Sequence, residues 1–209
     1  MKKIMFDDKH CLTEDVLKGR KTMTRRAIPF KDELVLEWSL SPALEEAWKK
    51  DILKKYARYK VGEIVAIAQS YRDVHRELMN DYDNPIFDNY KERNEDGLSS
   101  GPAWRNKMFT EAWLMPHHIK ITDRKVERLQ DISREECLLE GVYQTNEPAK
   151  AMPTYYVDGI YAKDLERERI LDVFLSPFDA FAALIDAISG KGTWKSDPWV
   201  IAYSFELYD

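Results

Sequence analysis

The sequence predicts an α+β fold, a small β-barrel decorated by helices. Segments with helical spacing of apolar residues alternate along the chain with short runs of strand length. The clearest strict alternation closes the chain at residues 199–207. Short strands mixed with helices are typical of a small barrel with helical additions. With 209 residues the chain is long enough for one sizeable core, so we expect a single domain covering residues 1–209.

Capping residues and helix breakers predict the elements of the first half. A short helix is expected between the capping residue Thr13 and Gly19, and a longer one begins where Ser41 precedes Pro42. Strands are expected where β-branched or apolar residues run without helical spacing. The predicted elements are, in order, the helix that ends before Gly19, a strand at 22–28, a helix at 41–57 and a strand at 63–70.

The second half shows equally clear helix starts. Ser133 and Glu136 have the spacing of a capping box, and the short helix that they open is expected to end with Glu140 before Gly141. The remaining predictions are a strand or bent strand pair at 117–129, a helix that starts at Ser176 and Pro177 and ends before Gly190, and the closing strand at 199–207.

Two segments lack sustained periodicity and are interpreted as insertions into the domain. Residues 72–105 are rich in charged and amide side chains and then in glycine and serine, which indicates a long hairpin or lid. Residues 143–169 mix prolines with a charged run and indicate a second excursion from the domain.

Composition limits the function classes. A net charge of −5 argues against a protein that coats nucleic acid through a global positive field, so any contact with nucleic acid must be local. Residues 18–26 supply such a local basic patch. No apolar run approaches the length of a membrane span and the start of the chain turns acidic early, so we expect a cytoplasmic protein without membrane contact. Cys11 and Cys137 are expected to be free thiols.

No motif for a metal or cofactor is present, so none is expected. His117 and His118 are adjacent, and adjacent side chains of a strand point to opposite faces, so the two cannot grip one ion. His10 and Cys11 fail in the same way. The sequence has no C-x-x-C or H-E-x-x-H zinc motif, no phosphate-binding glycine loop and no G-x-S-x-G nucleophile turn.

The segment GRKTMTRR, residues 19–26, is the strongest candidate for chemistry. In a strand, Thr24 and Arg26 share one face, and Lys21 at the entrance could reach back over Thr24. The neighbouring arginines would lower the pKa of Lys21, whereas Glu140, if close, would raise it. Spacing alone leaves open whether Lys21 and Thr24 are a surface lysine and an ordinary strand threonine.

Four blocks of the sequence together resemble the ASCH domain family. They are DVLKGRKTMTRRAIP, KVGEIVAIAQSY, KITDRKVERLQDISREECLLEGV and GTWKSDPWVIAYSFELY, and they occur in the family's order over about half of the chain. The length with its insertions is similar to the phage and prophage-associated branch. The resemblance implies a PUA-like barrel and a role in RNA-related processes.

One small bacterial group in this family hydrolyses acetylated cytidine with a lysine and a threonine of the K-T-x-T motif and a later glutamate. The resemblance places these residues at Lys21, Thr24 and Glu140. Where many longer members carry a glutamate at the end of the glycine-led strand, this chain has Gln69, which cannot take a proton as a carboxylate does.

Three functions therefore remain open. The first is a binding module for RNA or a nucleotide or modified nucleoside, with Arg20, Arg25 and Arg26 on phosphates, Gln69 at the pocket, and Tyr71 or Trp199 stacked on the base. The second is an amidohydrolase of acetylated cytidine or a related acylated nucleoside. The third is an interaction protein that docks through its acidic insertions.

Overall fold

The computed structural model describes residues 1–29, 42–79, 88, 90–92, 101–145, 152–160, 162–164, 169–171 and 173–209. Its class is α+β, as predicted, and its centre is a mixed five-stranded sheet with the strand order β1-β3-β4-β9-β2. The strands of this sheet are β1 (Lys3–Ile4), β2 (Met23–Ala27), β3 (Ile64–Ile67), β4 (His118–Arg128) and β9 (Trp199–Leu207).

The sheet is not closed into a barrel in the described part of the chain, which corrects the barrel expected from the sequence. β1 and β2 form its two edges. β1 has two residues and pairs in parallel with β3, so it offers little backbone to a further partner. A side chain links the two edges instead, because Arg26 Nη2 donates to the carbonyl oxygen of Met5 at 2.5 Å. A groove therefore separates the edges where a barrel would have a ladder.

The two longest strands hold the sheet together. β4 and β9 pair antiparallel from Ile119 opposite Leu207 to Arg128 opposite Trp199, with a register shift between Ile121 and Asp123. Such an irregularity bends a strand, which agrees with the bent strand that the sequence indicates. β2 pairs antiparallel with the other side of β9.

Helices and two small hairpins surround the sheet. The hairpins fall in the segment predicted as a second excursion, and both lie outside the five-stranded sheet. The helices are α1 (Leu12–Leu17), α2 (Pro42–Tyr56), α3 (Tyr71–Leu78), α4 (Arg134–Leu139), α5 (Pro177–Ser189) and α6 (Thr193–Ser196). The hairpin strands are β5 (Tyr143–Thr145) with β6 (Thr154–Tyr156), and β7 (Ala162–Asp164) with β8 (Arg169–Leu171). Single 3₁₀ turns lie at Pro102–Trp104, Lys107–Phe109, Ala112–Leu114 and Leu129–Asp131.

Most predicted helix starts are confirmed. The Ser133–Glu136 capping box opens α4, and Ser176 caps α5. Thr13 is not the cap of α1: the helix begins at Leu12, with Cys11, in a left-handed conformation, at the cap position. The Thr13 hydroxyl instead donates to Asp8 Oδ1 at 2.5 Å. Ser41 lies outside the described residues.

The segment after Ser70 begins as a helix and not as the irregular hairpin expected from its composition. The Ser70 hydroxyl accepts the Asp73 N–H and caps α3. Tyr71, Val74 and Leu78 lie three and four residues apart, so they share the buried face. They pack in a second hydrophobic cluster with Tyr90, Ala103, Leu114 and Met115. Residues 80–87, 89 and 93–100 of the predicted insertion lie outside the described part.

The main core covers the inner face of the sheet. Aliphatic side chains of β1, β3, β4 and β9 pack there with Phe181 and Leu184 of α5, and each is almost fully buried. Burial of one such side chain stabilises the fold by about 1.5–3 kcal/mol. Cys11 and Cys137 are both free thiols. Among the described residues, no helix has the length and apolar character that crossing a membrane requires.

Candidate functional site

A tight turn brings Lys21 from the end of α1 to the start of β2. Gly19 has a φ of +69°, a conformation that glycine adopts without steric cost. The N–H groups of Arg20 and Lys21 then both donate to the carbonyl oxygen of Asp15, at 2.8 and 3.1 Å. These bonds satisfy the exposed end of α1 and fix the direction in which the Lys21 side chain leaves the backbone.

The end of α4 is fastened to the same place. The Thr22 N–H donates to the carbonyl oxygen of Leu139 at 3.0 Å, which ties β2 to the last residue of the helix. Gly141 follows with a φ of +105°, and a Cβ atom there would lie 2.7 Å from Leu12 Cδ2. Glycine is therefore needed at this position both for the turn and for the close approach of α1. The turn leaves Glu140 beside Lys21.

Lys21 and Glu140 form a buried ion pair. Lys21 Nζ lies 2.7 Å from Glu140 Oε2 and 2.7 Å from the carbonyl oxygen of the same residue. Only 2% of Lys21 and 3% of Glu140 is exposed to solvent. An ammonium group has three hydrogens, so these two bonds leave one for a further acceptor.

Arg25 completes the neutralisation of Glu140 from the other side. Its Nη1 donates to Glu140 Oε1 at 3.0 Å, its Nε to Glu127 Oε1 at 2.9 Å and its Nη2 to Glu136 Oε2 at 2.6 Å. Lys125 in turn lies within 2.8 Å of Glu127 and 2.6 Å of Glu136. With Lys21, the network therefore joins three cations to three carboxylates, and buried charges are tolerated when they are paired in this way.

Burial lowers the pKa of Lys21 below that of a free lysine. Removal of water from the ammonium is the largest effect, and the nearby charges of Arg26 and Arg25 act in the same direction. The carboxylate of Glu140 opposes them and does not reverse the shift. A neutral lysine, which is the form that can accept a proton, is thus easier to reach here than in water.

Lys21, Thr24 and Glu140 line one pocket of about 270 Å³. β2 is an edge strand, and the pocket lies along its open edge. Side chains from both faces of β2 therefore border the pocket, Thr24 from one face and Arg25 from the other. Among the described residues the Thr24 hydroxyl has no hydrogen-bond partner, and Thr24 is buried. The other walls come from the loop after β1, from α1, from β2 and from α5: Met5, Phe6, Asp7, Leu12, Arg26, Ala27, Leu184, Ile188 and Ser189.

The arginines predicted to contact phosphates have different surroundings. Arg20 is held by Asp15, with Nη2 and Oδ1 2.5 Å apart, and lies over the ring of Tyr143. Arg25 is engaged by carboxylates on all three nitrogens. Arg26 has no carboxylate partner in the described part of the chain, and it lies at the groove between the sheet edges.

The structure does not bring Gln69 and Tyr71 to this pocket. Gln69 is buried, and its Nε2 lies 3.3 Å from Glu77 Oε2, whereas its Oε1 has no hydrogen-bond partner among the described residues. Tyr71 is 1% exposed in the second hydrophobic cluster, where its hydroxyl accepts the Glu111 N–H at 2.7 Å. Its ring is therefore unavailable to stack on a base.

Trp199 also lies away from Lys21. It is packed edge-on against Trp48 of α2, with ring centroids 4.7 Å apart, and the guanidinium of Arg128 lies 4.6 Å from its ring centroid. These contacts give Trp199 a place in the packing between α2 and the sheet. It does not line the pocket of Lys21 and Thr24.

Sequence reasoning missed the rest of the charge network. Lys125 and Glu127 are two residues apart on β4 and therefore share a face, which was a usable signal for a cross-strand charge cluster. Glu136 was recognised as a capping residue, and its side chain does accept the Ser133 N–H. The additional contact with Arg25 could not be read from the local pattern.

His118 is the first residue of β4 and His117 lies directly before it, and the two contact different carboxylates. His117 Nε2 is hydrogen-bonded to Glu77, and His118 Nδ1 lies 2.8 Å from Asp209 Oδ2. The hydrogen bond with Glu77 raises the pKa of His117, against the effect of its burial.

Comparison of the chain with protein-family models, with curated proteins and with solved structures found no match.

Proposed function

We propose that this protein is an amidohydrolase of the ASCH type that removes the acyl group from acetylated cytidine or a related acylated nucleoside. The observation that carries the proposal is the meeting of a buried Lys21–Glu140 pair and the Thr24 hydroxyl in one small pocket. A nucleophile, a base of lowered pKa and a group that orients the base are the parts that covalent acyl transfer requires.

The proton and bond changes follow from these positions. The neutral amine of Lys21 takes the proton of the Thr24 hydroxyl while the oxygen attacks the acyl carbonyl carbon. The C–N bond then breaks, the lysine returns the proton to the leaving nitrogen, and an acyl ester remains on Thr24. Water, deprotonated in turn by Lys21, attacks this ester. The ester C–O bond breaks, the protonated lysine returns the proton to the Thr24 oxygen, and the carboxylic acid is released. Glu140 holds the amine in place throughout.

The open edge of β2 supplies a donor for the oxyanion. The N–H of Ile28 and the carbonyl of Thr22 bond to β9, so in the alternating antiparallel ladder the even-numbered residues face β9. The N–H of Arg25 consequently points to the open edge, directly after Thr24. A backbone donor next to the nucleophile is a common arrangement for stabilising the tetrahedral intermediate.

The charges of the pocket favour a neutral ligand over a phosphate at this position. Lys21 and Arg25 are both compensated by carboxylates, and the walls also hold one further cation and one further carboxylate, Arg26 and Asp7, so the positive field is largely cancelled there. The volume of the pocket lies just below the usual range for small-molecule sites, which suits a base with its acyl group better than several nucleotides. The resemblance to the ASCH family points to the same substrate class.

A module that binds the modified nucleoside without turnover is the second candidate. One observation favours it: both described hydrogen bonds of Lys21 Nζ go to Glu140 and none to Thr24. Hydrolysis therefore requires that substrate binding bring the hydroxyl to the amine, as catalytic bonds often tighten only in the complex.

Turnover of acetylated cytidine and a panel of acylated nucleosides tests the proposal. We expect Thr24→Val and Lys21→Met each to lower kcat at least about 1,000-fold, and the double variant to be no slower than either single one, because both residues act in one step. Thr24→Ser, which keeps the hydroxyl, should retain part of the activity. Thr22→Val, which alters a threonine two residues away, is the matched control.

The outcomes separate the two candidates. Activity that survives in both Thr24→Val and Lys21→Met would contradict the assignment of nucleophile and base. Wild-type protein that binds the panel without hydrolysing any member would replace the hydrolase by the binding module. Circular dichroism of each variant shows whether a loss of activity reflects a loss of fold.

A further inference from the structure

A second pocket lies in the groove between the two sheet edges. It encloses about 250 Å³ and shares three of its wall residues, Met5, Arg26 and Ala27, with the pocket of Thr24. Its remaining walls come from β1, from the two residues after β2, from the end of α2 with the loop that follows it, and from β9. The side chains that matter for its chemistry are Lys3, Arg26, Arg58, Tyr56, Tyr59 and Tyr203.

The charge of this groove is one-sided. Three cationic side chains line it, and no carboxylate does among the described residues. Lys3 Nζ is bonded to three backbone carbonyl oxygens, those of Lys107, Met108 and Thr110, which carry no formal charge. Arg58 is exposed and lies 5.7 Å from the ring centroid of Tyr59. The groove thus differs sharply from the neutralised pocket beside it.

The three cations are close enough to repel one another. The charge of Arg58 lowers the pKa of Lys3 and that of Arg26, in each case in addition to a larger effect of burial. The carboxylates near the groove in the described part of the chain lie outside it: Glu140 acts on Arg26 from the neighbouring pocket, and Glu63 is bound by Lys2 at 2.9 Å. An anion placed between the cations would relieve this repulsion.

The two guanidinium groups of the groove have N–H donors without a described acceptor. Arg58 has no hydrogen-bond acceptor for its guanidinium among the described residues, and Arg26 uses one nitrogen on the carbonyl of Met5. Guanidinium groups match the oxygens of a phosphate with paired N–H donors. Three tyrosines also line the groove; Tyr59 and Tyr203 are buried, and Tyr56 is partly exposed.

The two pockets lie along one strand. Thr24 and Arg26 are on the same face of β2, about 7 Å apart along the strand at the usual rise per residue. In a nucleotide, the ribose separates the base from the phosphate over a comparable span. One ligand can therefore place its acylated base against Thr24 and its phosphate against Arg26 and Arg58.

We infer that the groove is a phosphate subsite, and that the preferred substrate is an acylated nucleoside monophosphate. The reaction in this inference rests on the proposed hydrolysis, whereas the binding of the phosphate rests on the groove alone. Arg26 and Arg58 bind the phosphate oxygens. Lys3 contributes positive charge from the side.

Steady-state kinetics on acetylated cytidine and its monophosphate provide the test. Because charge-assisted hydrogen bonds to the phosphate strengthen binding, we expect kcat/KM for the monophosphate to exceed that for the nucleoside at least about 10-fold. Arg58→Gln should remove most of this preference through a raised KM for the monophosphate. Arg72→Gln, an exposed arginine of α3 outside the groove, is the matched control.

Calorimetric binding separates this inference from the hydrolase. If no acylated substrate is turned over, binding of cytidine monophosphate that is tighter than binding of cytidine, and that Arg58→Gln abolishes, still supports the phosphate subsite. Equal affinities for the two ligands, or an Arg58→Gln variant that keeps the preference, would overturn it. A single-stranded RNA that binds through Arg58 while the monophosphate shows no advantage would also overturn it, in favour of a polynucleotide backbone.

Discussion

Replacement of Glu140 by glutamine tests the buried charge network most directly. Each carboxylate oxygen of Glu140 accepts from a different cation, Oε2 from Lys21 and Oε1 from Arg25. Glutamine has the same shape but one acceptor oxygen, so its NH₂ group must face one of the two cations. Removal of one partner from a buried ion pair costs about 3–5 kcal/mol, because the other charge stays buried without compensation.

The size of the effect is well within reach of urea denaturation. A loss of about 4 kcal/mol at an m-value of about 2 kcal/mol per molar lowers the urea midpoint by about 2 M. Glu135→Gln is the control: this glutamate lies exposed on α4, and its change should stay within about 0.5 kcal/mol.

A double-mutant cycle refines the test. In a Lys21→Met background the glutamine at position 140 can turn its oxygen to Arg25, so the second change should cost less than it does alone. We expect a coupling energy of about 1–3 kcal/mol between the two positions. A loss below about 1 kcal/mol for Glu140→Gln, or costs that simply add, would refute the account of Glu140 as the shared acceptor of two buried cations.

Three further changes probe the site and its surroundings. Gly141→Ala should destabilise the fold by about 1–3 kcal/mol in thermal denaturation, since its new Cβ meets Leu12 at a residue with positive φ; an unchanged Tm would contradict this close approach. If the proposed hydrolysis holds, kcat/KM should rise with pH to a plateau, with a midpoint below the 10.5 of a free lysine because the pKa of Lys21 is lowered, and a midpoint at or above that value would remove Lys21 as the base. His117 has a raised pKa through Glu77, so its contribution to stability is present below its unfolded pKa and disappears as pH rises through the folded one. The free energies of unfolding of the wild type and of Glu77→Gln, measured by denaturation across this pH range, should converge at high pH. A difference that stays constant with pH would contradict the His117–Glu77 pair.

Local sequence patterns predicted an element correctly wherever the residues that specify it lie in or next to that element. The capping box at Ser133, the start of α5 at Ser176 and the closing strand were all predicted close to their observed positions. Each of these signals lies within a few residues of the element that it specifies, because caps and alternation act over one turn or one strand. α3 was missed although Tyr71, Val74 and Leu78 carry helical spacing, since charged residues around them dominate the composition.

Local sequence patterns could not predict which strands pair when they lie far apart along the chain. β1 is two residues long and shows no alternation of its own, and its parallel pairing with β3 depends on a partner about sixty residues away. The open gap between β1 and β2, and with it the groove of Arg58, follows from that pairing. Neither Lys3 nor Arg58 could be selected from the sequence as an anion-binding residue. A cationic side chain becomes a candidate only when no carboxylate lies next to it in the fold, and the sequence does not show this.

The sequence by itself determined the class of fold, most of its helices and strands, and the segment from Lys21 to Arg26 as the place to look for chemistry. Only the tertiary structure decided which cations are paired with carboxylates. Arg25 and Arg26 are neighbours in sequence, yet β2 turns their side chains to opposite faces, one toward three glutamates and the other toward a groove without a carboxylate among the described residues. A charge is neutralised by whatever the fold places within a few ångströms, and those partners lie more than a hundred residues further along the chain.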